Sequence, residues 1–202
     1  MKVTYDDARH EYRFDGALVP SVTQIIKPIT GLDSVPQQFV DVARMRGTLM
    51  HQCIEYLLDG SLDEDSVHDS LRPMLDAFKR WIAHARPERC DTERLVWHEP
   101  MRYAGRADLI CMIGGDGWLI DIKTTKDVHA HHGPQTAAYC KALECMGLAV
   151  SRRGCLYLGL DGSWSLVEHT DADDWRCFVA LHTLHNWMTN AQRRGSMKGF
   201  GK

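Results

Sequence analysis

The segment from Arg106 to Lys123 does most to limit what this chain can fold into. Arg106–Ile113 and Trp118–Lys123 are apolar-rich runs of strand length, separated by Gly114-Gly115-Asp116-Gly117. Glycines at that density permit a tight reversal, so the spacing predicts an antiparallel hairpin. Side chains alternate along a strand. Asp121 and Lys123 therefore share a face, while Ile120 and Ile122 turn to apolar packing on the other. The same hairpin can bring Asp108 beside Asp121. Carboxylates gathered on one face repel each other unless positive charge lies between them. Spacing alone leaves two readings open. One is a surface salt bridge between Asp121 and Lys123. The other is a site for a hard cation such as Mg2+, which takes oxygen donors and keeps waters that a phosphate can replace. Beside such a cation Lys123 would orient or help deprotonate a water, or stabilise charge on phosphoryl oxygens.

The remaining elements frame that hairpin. Residues 1–20 alternate weakly around Asp15-Gly16, which fits one or two small hairpins. Ser21 followed by Gln24 is a capping-box pattern for a short helix. From Pro36 to Leu58 apolar residues recur at helical spacing, and Gly47 is expected to split the run in two. His51 lies in this run beside Met50 and Ile54, with Glu55 four residues on, and as a lone histidine it also fits a core or surface position. Residues 70–85 read as another helix, and Glu93–Trp97 as a strand. His129, His131 and His132 read as solvated loop residues, and His182 and His185 as packing residues. Helix 134–147 carries Gln135 and Tyr139, four apart on one face. Strands Gly154–Leu160 and Ser163–Glu168 flank Asp161-Gly162, and a last helix spans 171–192. The tail Arg193–Lys202, with four basic residues and three glycines, is expected to be mobile. The order predicts an α/β (α+β) fold. The expected divisions are 1–35 for hairpin and short helix, 36–86 for a helical elaboration, 87–192 for the core and 193–202 for the tail.

A net charge of −3 argues against nucleic-acid binding by bulk positive charge. It leaves room for a local basic groove, because bound divalent cations bring their own charge to a phosphate. The seven cysteines include no CxxC, so reduced thiols are expected. No apolar run approaches the roughly 18 residues of a membrane helix. The N-terminus carries Asp6, Asp7 and Glu11 and no apolar core of a leader, so neither a signal nor a transit peptide is expected.

Arg46-Gly47…His51, Gly105-Arg106-Ala107-Asp108, Asp121-Ile122-Lys123 and Gln135-x-x-x-Tyr139 follow one another along the chain. In this order they resemble the motifs of the PD-(D/E)XK nuclease superfamily, in the branch of the RecB nuclease domain and phage-type exonucleases. Tyr12-Arg13-Phe14-Asp15-Gly16 through Pro20-Ser21-Val22-Thr23 also looks like the start of phage-encoded members, so the resemblance covers residues 10–190. It implies a restriction-endonuclease-like core, a central mixed β-sheet flanked by helices. Position by position, it implies that His51, Asp108 and Asp121 are metal ligands, joined by the backbone carbonyl of Ile122, and that Lys123 is the catalytic lysine. Gln135 and Tyr139 would shape the site and contact DNA, and Glu93 would match an upstream acidic position, behind the ligands or as a DNA contact. Arg44 and Arg46, close to His51, are candidate phosphate contacts, and Ser21 a further candidate contact beyond its role as a cap. Ala107 stands where many members have proline, and Asp121 where many have glutamate. No cysteine precedes His51, so no iron–sulfur cluster is expected. The implied activity is a deoxyribonuclease using one or two Mg2+ or Mn2+ ions, most of all an exonuclease on linear DNA in phage or bacterial recombination or repair. A structure-specific or nonspecific endonuclease and a non-catalytic DNA-end-binding module are the alternatives. The implied partners are DNA, a single-strand-annealing or recombination protein and further copies of this chain, in a bacterial or phage-infected cytoplasm.

Overall fold

The computed structural model describes residues 2–197. The chain opens on three short strands, β1 (Val3–Asp6), β2 (Glu11–Phe14) and β3 (Ala17–Val19), paired antiparallel in that order. Asp15 and Gly16, both at positive φ, make the reversal between β2 and β3; such turns match the right-handed twist of paired strands. Tyr12, Phe14 and Val19 pack inward against Ala104. Helix α1 (Val22–Ile26) starts at Ser21, whose hydroxyl accepts from the Gln24 amide while the Gln24 side chain accepts from the Ser21 amide. Two 3-10 turns, Lys27–Ile29 and Leu32–Ser34, lead into helix α2 (Gln37–Asp59).

The break expected at Gly47 is absent, since α2 runs through it unbroken. A glycine inside a helix costs about 1 kcal/mol relative to alanine. The apolar face carrying Met50 and Ile54 packs into the core with helix α3 (Arg72–Ala85), and that packing outweighs the local cost.

Five strands form the main sheet: β4 (Glu88–His98), β5 (Tyr103–Ile113), β6 (Asp116–Lys123), β7 (Arg152–Leu158) and β8 (Trp164–Glu168), side by side in chain order. All neighbours are antiparallel except β6 and β7. A parallel pair needs a crossover, and helix α4 (His132–Cys145) supplies it. Helix α5 (Asp173–Met197) closes the described chain. Met50, Ile54, Phe78 and Trp81 pack with Leu109, Ile120 and Ile122 on one face of the sheet. Ile25, Ala138, Leu143 and Phe178 pack with Leu119 on the other. The result is the expected mixed sheet between helical layers.

Several boundaries differ from expectation. Strand β4 starts five residues and β5 three residues before the expected starts, because their mutual pairing continues from Glu88 to His98. Helix α4 begins at His132, which is buried with Nδ1 2.7 Å from the Tyr157 hydroxyl, so His132 is not a solvated loop residue. Helix α5 carries residues 193–197, which were expected in the mobile tail; residues 198–202 of that tail lie outside the described residues. No helix among the described residues is long and apolar enough to cross a membrane.

Candidate active site

The β5–β6 ladder pairs Ile113 with Asp116 and continues to Leu109 with Ile120. One step further, Asp108 Oδ2 accepts a hydrogen bond from the Ile122 amide at 2.7 Å. A side-chain carboxylate thus takes the place of a backbone acceptor at the end of the ladder. On the other side, β4 pairs Thr92 with Leu109 and Arg94 with Ala107. Glu93 lies between these pairs, in line with Asp108, at φ 49. A left-handed conformation in a non-glycine residue costs on the order of 1 kcal/mol or more, and such costs cluster at functional sites.

Helix α2 lays His51 across this opening. Its Nδ1 stands 3.0 Å from Glu93 Oε1, and its Nε2 stands 3.1 Å from the Ile122 carbonyl and 3.7 Å from Asp108 Oδ2. Donor atoms of His51, Glu93 and Asp108 all lie within 4.8 Å of one another. One imidazole with two carboxylates, beside the Ile122 carbonyl oxygen, is an oxygen-rich set that fits a hard divalent cation.

Next to it, β6 presents Asp121 and Lys123 on one face, with Ile120 and Ile122 buried in apolar packing on the other, as alternation requires. Lys123 Nζ is 2.7 Å from Asp121 Oδ2 and donates to Gln135 Oε1 at 3.0 Å. Gln135 Nε2 in turn donates to Asp121 Oδ1 at 2.9 Å. The side chain of Gln135 therefore holds acid and lysine together. Tyr139, one turn on, is buried against Gly105 of β5. These residues, with Arg46 and Thr124, line a cleft of about 680 Å³.

A family model of the PD-(D/E)XK nuclease superfamily matches residues 29–176. The chain belongs to this superfamily. The PD-(D/E)XK proteins are nucleases, hydrolases of phosphodiester bonds that use divalent metal ions. Among solved structures, an alkaline exonuclease from Laribacter hongkongensis is 15% identical over 75% of this chain and 85% of that one, with a TM-score of 0.41. The crystal structure of SSO0001 is 19% identical over 69% of this chain and 68% of that one, with a TM-score of 0.36. No curated protein matches the chain.

Within this PD-(D/E)XK chain, the expected residues fall into two linked groups. His51, Asp108 and the Ile122 carbonyl meet on one side; Asp121, Lys123, Gln135 and Tyr139 meet on the other. Glu93, expected only as an upstream acid or DNA contact, is inside the cluster of donor atoms that could hold a metal ion. Arg46 lines the cleft, whereas Arg44 is exposed on α2 and 3.6 Å from Asp41. Ser21 is buried, its hydroxyl engaged by the Gln24 amide and Thr23, and it does not line the cleft. Two residues without an expected role stand close to the chemistry. Arg106 pairs with Glu93 at 2.8 Å and with Asp7 at 3.4 Å, and lies over the Tyr5 ring. Cys155, opposite Asp121 in the parallel pair, has its sulfur 3.8 Å from Asp121 Oδ2. The first follows from alternation, because Arg106 stands two residues before Asp108 in β5 and shares its face of the strand; the second needs the β6–β7 register.

The charges are strongly coupled. Burial disfavours protonated His51, but Asp108 and Glu93 outweigh it and lift the imidazole pKa to about 9. Burial also raises the Asp108 carboxyl, with Asp121 and Glu93 adding to the rise against the pull of His51. Glu93 is held below its ordinary range: burial is overcome by His51 and Arg106. Burial works against charged Lys123, yet Asp121, Cys155 and Asp108 raise its pKa, so it is an ammonium at neutral pH. Tyr139, buried next to carboxylates, stays a neutral phenol.

Proposed function

We propose that the chain is a Mg2+- or Mn2+-dependent deoxyribonuclease that removes nucleotides from the ends of linear DNA. The observation that carries the reading is the meeting of Asp108, Asp121 and Lys123 with His51 and Glu93 at the parted end of β5 and β6, inside one cleft. His51, Asp108, Asp121 and the Ile122 carbonyl, joined by Glu93, are the residues that would hold one or two ions. When bound, such an ion polarises the scissile phosphate, lowers the pKa of water and neutralises developing charge.

The side chains supply the rest. Lys123 is charged and fixed by two partners, Asp121 and Gln135, so it serves as a preorganised donor to phosphoryl oxygens rather than as a base. Gln135 keeps Lys123 and Asp121 in register through one amide. Arg106 steadies Glu93, and Glu93 orients His51 through Nδ1 so that Nε2 faces Ile122 O and Asp108. The preference for ends over internal bonds, and for DNA of phage or bacterial recombination and repair, rests on the motif resemblance. So do the cytoplasmic setting, a single-strand-annealing partner and self-association.

The test is digestion of end-labelled linear duplex with Mg2+ or Mn2+, beside covalently closed circular DNA. Mononucleotides from the linear form and intact circles are expected. Lys123→Ala should lower kcat by 100-fold or more, the usual loss of a preorganised electrostatic donor, about 3 kcal/mol. Nicking of circles at the linear rate makes the enzyme an endonuclease. Tight binding with no cleavage under any metal makes it an end-binding module.

A further inference from the structure

We propose that Arg46, the hydroxyls of Thr124 and Thr125, and Lys126 form a second phosphate subsite. It grips a substrate phosphate that flanks the scissile one. The proposal rests on the nuclease reading above and adds how the substrate backbone is held.

A recess of about 290 Å³ lies beside the cleft, lined by Arg46, Thr124, Thr125, Lys126, Leu160 and Asp161. It shares Arg46, Thr124 and Thr125 with the cleft, so the two spaces adjoin. Thr124 and Thr125 follow Lys123 directly. Consecutive Cα atoms are 3.8 Å apart, so the Cα atoms of Thr124 and Thr125 stand at most about two residue steps, roughly 8 Å, from that of Lys123. That is the scale of a nucleotide step or two along one strand.

Charge accounting singles out Arg46. Lys123 is paired with Asp121, Arg106 with Glu93 and Asp7, and Lys126 with Asp161. Among the described residues, Arg46 is the one guanidinium or ammonium group of cleft and recess without a carboxylate partner. Its side chain makes a single hydrogen bond, from Nη2 to the Thr124 carbonyl at 3.2 Å. Its Nε is buried and has no acceptor at all. Buried donors are normally satisfied, so the fold leaves this guanidinium under-paired, and an arriving phosphate meets it at the terminal nitrogens, of which Nη1 has no partner among the described residues. A guanidinium matches phosphate oxygens with parallel N–H bonds. The Thr124 hydroxyl makes no side-chain hydrogen bond among the described residues. Thr125 Oγ1 is turned to Asp127, whose amide donates to it at 3.1 Å. Asp161 is the recess's one carboxylate and is held by Lys126 and Ser163. An entering phosphate competes with it for Lys126 and leaves Arg46 as the uncontested cation.

The ligand chemistry is a phosphate bearing at least two free oxygens, either an internal phosphodiester or a terminal phosphate monoester. The experiment measures binding of fluorescent linear duplex by anisotropy in EDTA, so it needs no cleavage. One duplex series carries a single neutral methylphosphonate at successive positions near the end. A second pair differs only in a terminal phosphate or hydroxyl. In the wild type, one substitution should weaken binding about tenfold or more, the scale of one charge-assisted hydrogen-bonded contact. Arg46→Ala should weaken binding to unmodified DNA by a similar factor, lower the salt slope by about one, and lose nothing further at that one position. Arg46→Lys should fall between, because it keeps the charge and loses the fork. Sensitivity at the terminal phosphate identifies a monoester site, and sensitivity at an internal position a diester site.

Wild-type affinity in Arg46→Ala overturns the proposal, provided its thermal melt shows it folded; Arg46→Lys covers the case in which it does not. Penalties that multiply at every position overturn it as well. Cleavage by the wild type with Mg2+ is read on the same DNA. Its absence sinks the nuclease reading, while the binding cycle still decides the subsite.

Discussion

Replacing Gly105 with alanine tests how the site is packed. Gly105 pairs with Val96 in β5, and its φ lies outside the left-handed region, so an alanine there meets no backbone strain. What it meets is Tyr139. An ideal Cβ would stand 2.6 Å from Cε1 and 3.5 Å from Cδ1 and Cζ of that ring. Carbon atoms settle at about 3.5–4.0 Å, so the ring must retreat by about 1 Å. Tyr139 is 4% exposed and packs with Val22, Ala107 and Ala138, so there is little room to retreat. Overpacking of this kind costs about 1–3 kcal/mol. In a chain of this length each kcal/mol lowers Tm by about 2–4 °C, so Gly105→Ala should melt roughly 2–12 °C below the parent. Denaturant unfolding of a double-mutant cycle with Tyr139→Ala is the assay. Removing the ring is itself expensive, about 3–5 kcal/mol, but in its absence the added methyl should cost nearly nothing. Coupling of about 1–3 kcal/mol between the two positions is therefore expected. Activity should fall with stability, because a displaced Tyr139 drags Gln135, one helical turn away, off Asp121 and Lys123. A parent-like melt for Gly105→Ala, or an undiminished penalty in the Tyr139→Ala background, refutes the reasoning.

His51 makes metal binding and stability depend on pH in opposite directions. Its pKa is about 9 in the fold against an ordinary 6.5, so the stability contributed by the protonated ring is full below pH 6.5 and is lost as pH rises through about 9. A metal takes the deprotonated ring, so its affinity should climb across that window with release of a proton. Calorimetry in buffers of different ionisation heat checks this, and a flat affinity with no proton released contradicts it. Far from the cleft, Arg153 joins the β7 strand to the starts of α4 and α5. Its donors reach the Gly133 carbonyl, Thr136, the Asp171 carbonyl and Asp174, all at 2.8–2.9 Å. Arg153→Ala leaves Asp174, at 15% side-chain exposure, without its cation. A loss of about 3–5 kcal/mol in denaturant unfolding is expected, and a loss below 1 kcal/mol would show that water satisfies Asp174 instead.

Where one element decides its own geometry, the sequence was readable. The glycine turn set the β5–β6 hairpin, alternation put Asp121 and Lys123 on one face, and helical spacing put Gln135 and Tyr139 on one side of α4. What escaped depends on partners distant in sequence. Glu93 reaches the ligating cluster only through the register of β4 on β5, which a shift between Glu88 and Asp91 helps to set. Arg106 gains its second acid from Asp7, 99 residues away. His132 enters a helix rather than a loop because Tyr157 of β7 covers it. Local rules misjudged Gly47 because burial of Met50 and Ile54 is a property of the assembled core.

The hydrogen bond from the Ile122 amide to Asp108 gives the centre its own spectroscopic reporter. Most amides in a sheet are tied to carbonyls and change little while the sheet holds. This one is tied at 2.7 Å to a carboxylate that a proton or a cation would also claim. Its nitrogen chemical shift and its exchange with deuterium should therefore follow the occupancy of Asp108, residue by residue and without substrate. Loading of the centre becomes visible in a backbone spectrum, separately from any turnover.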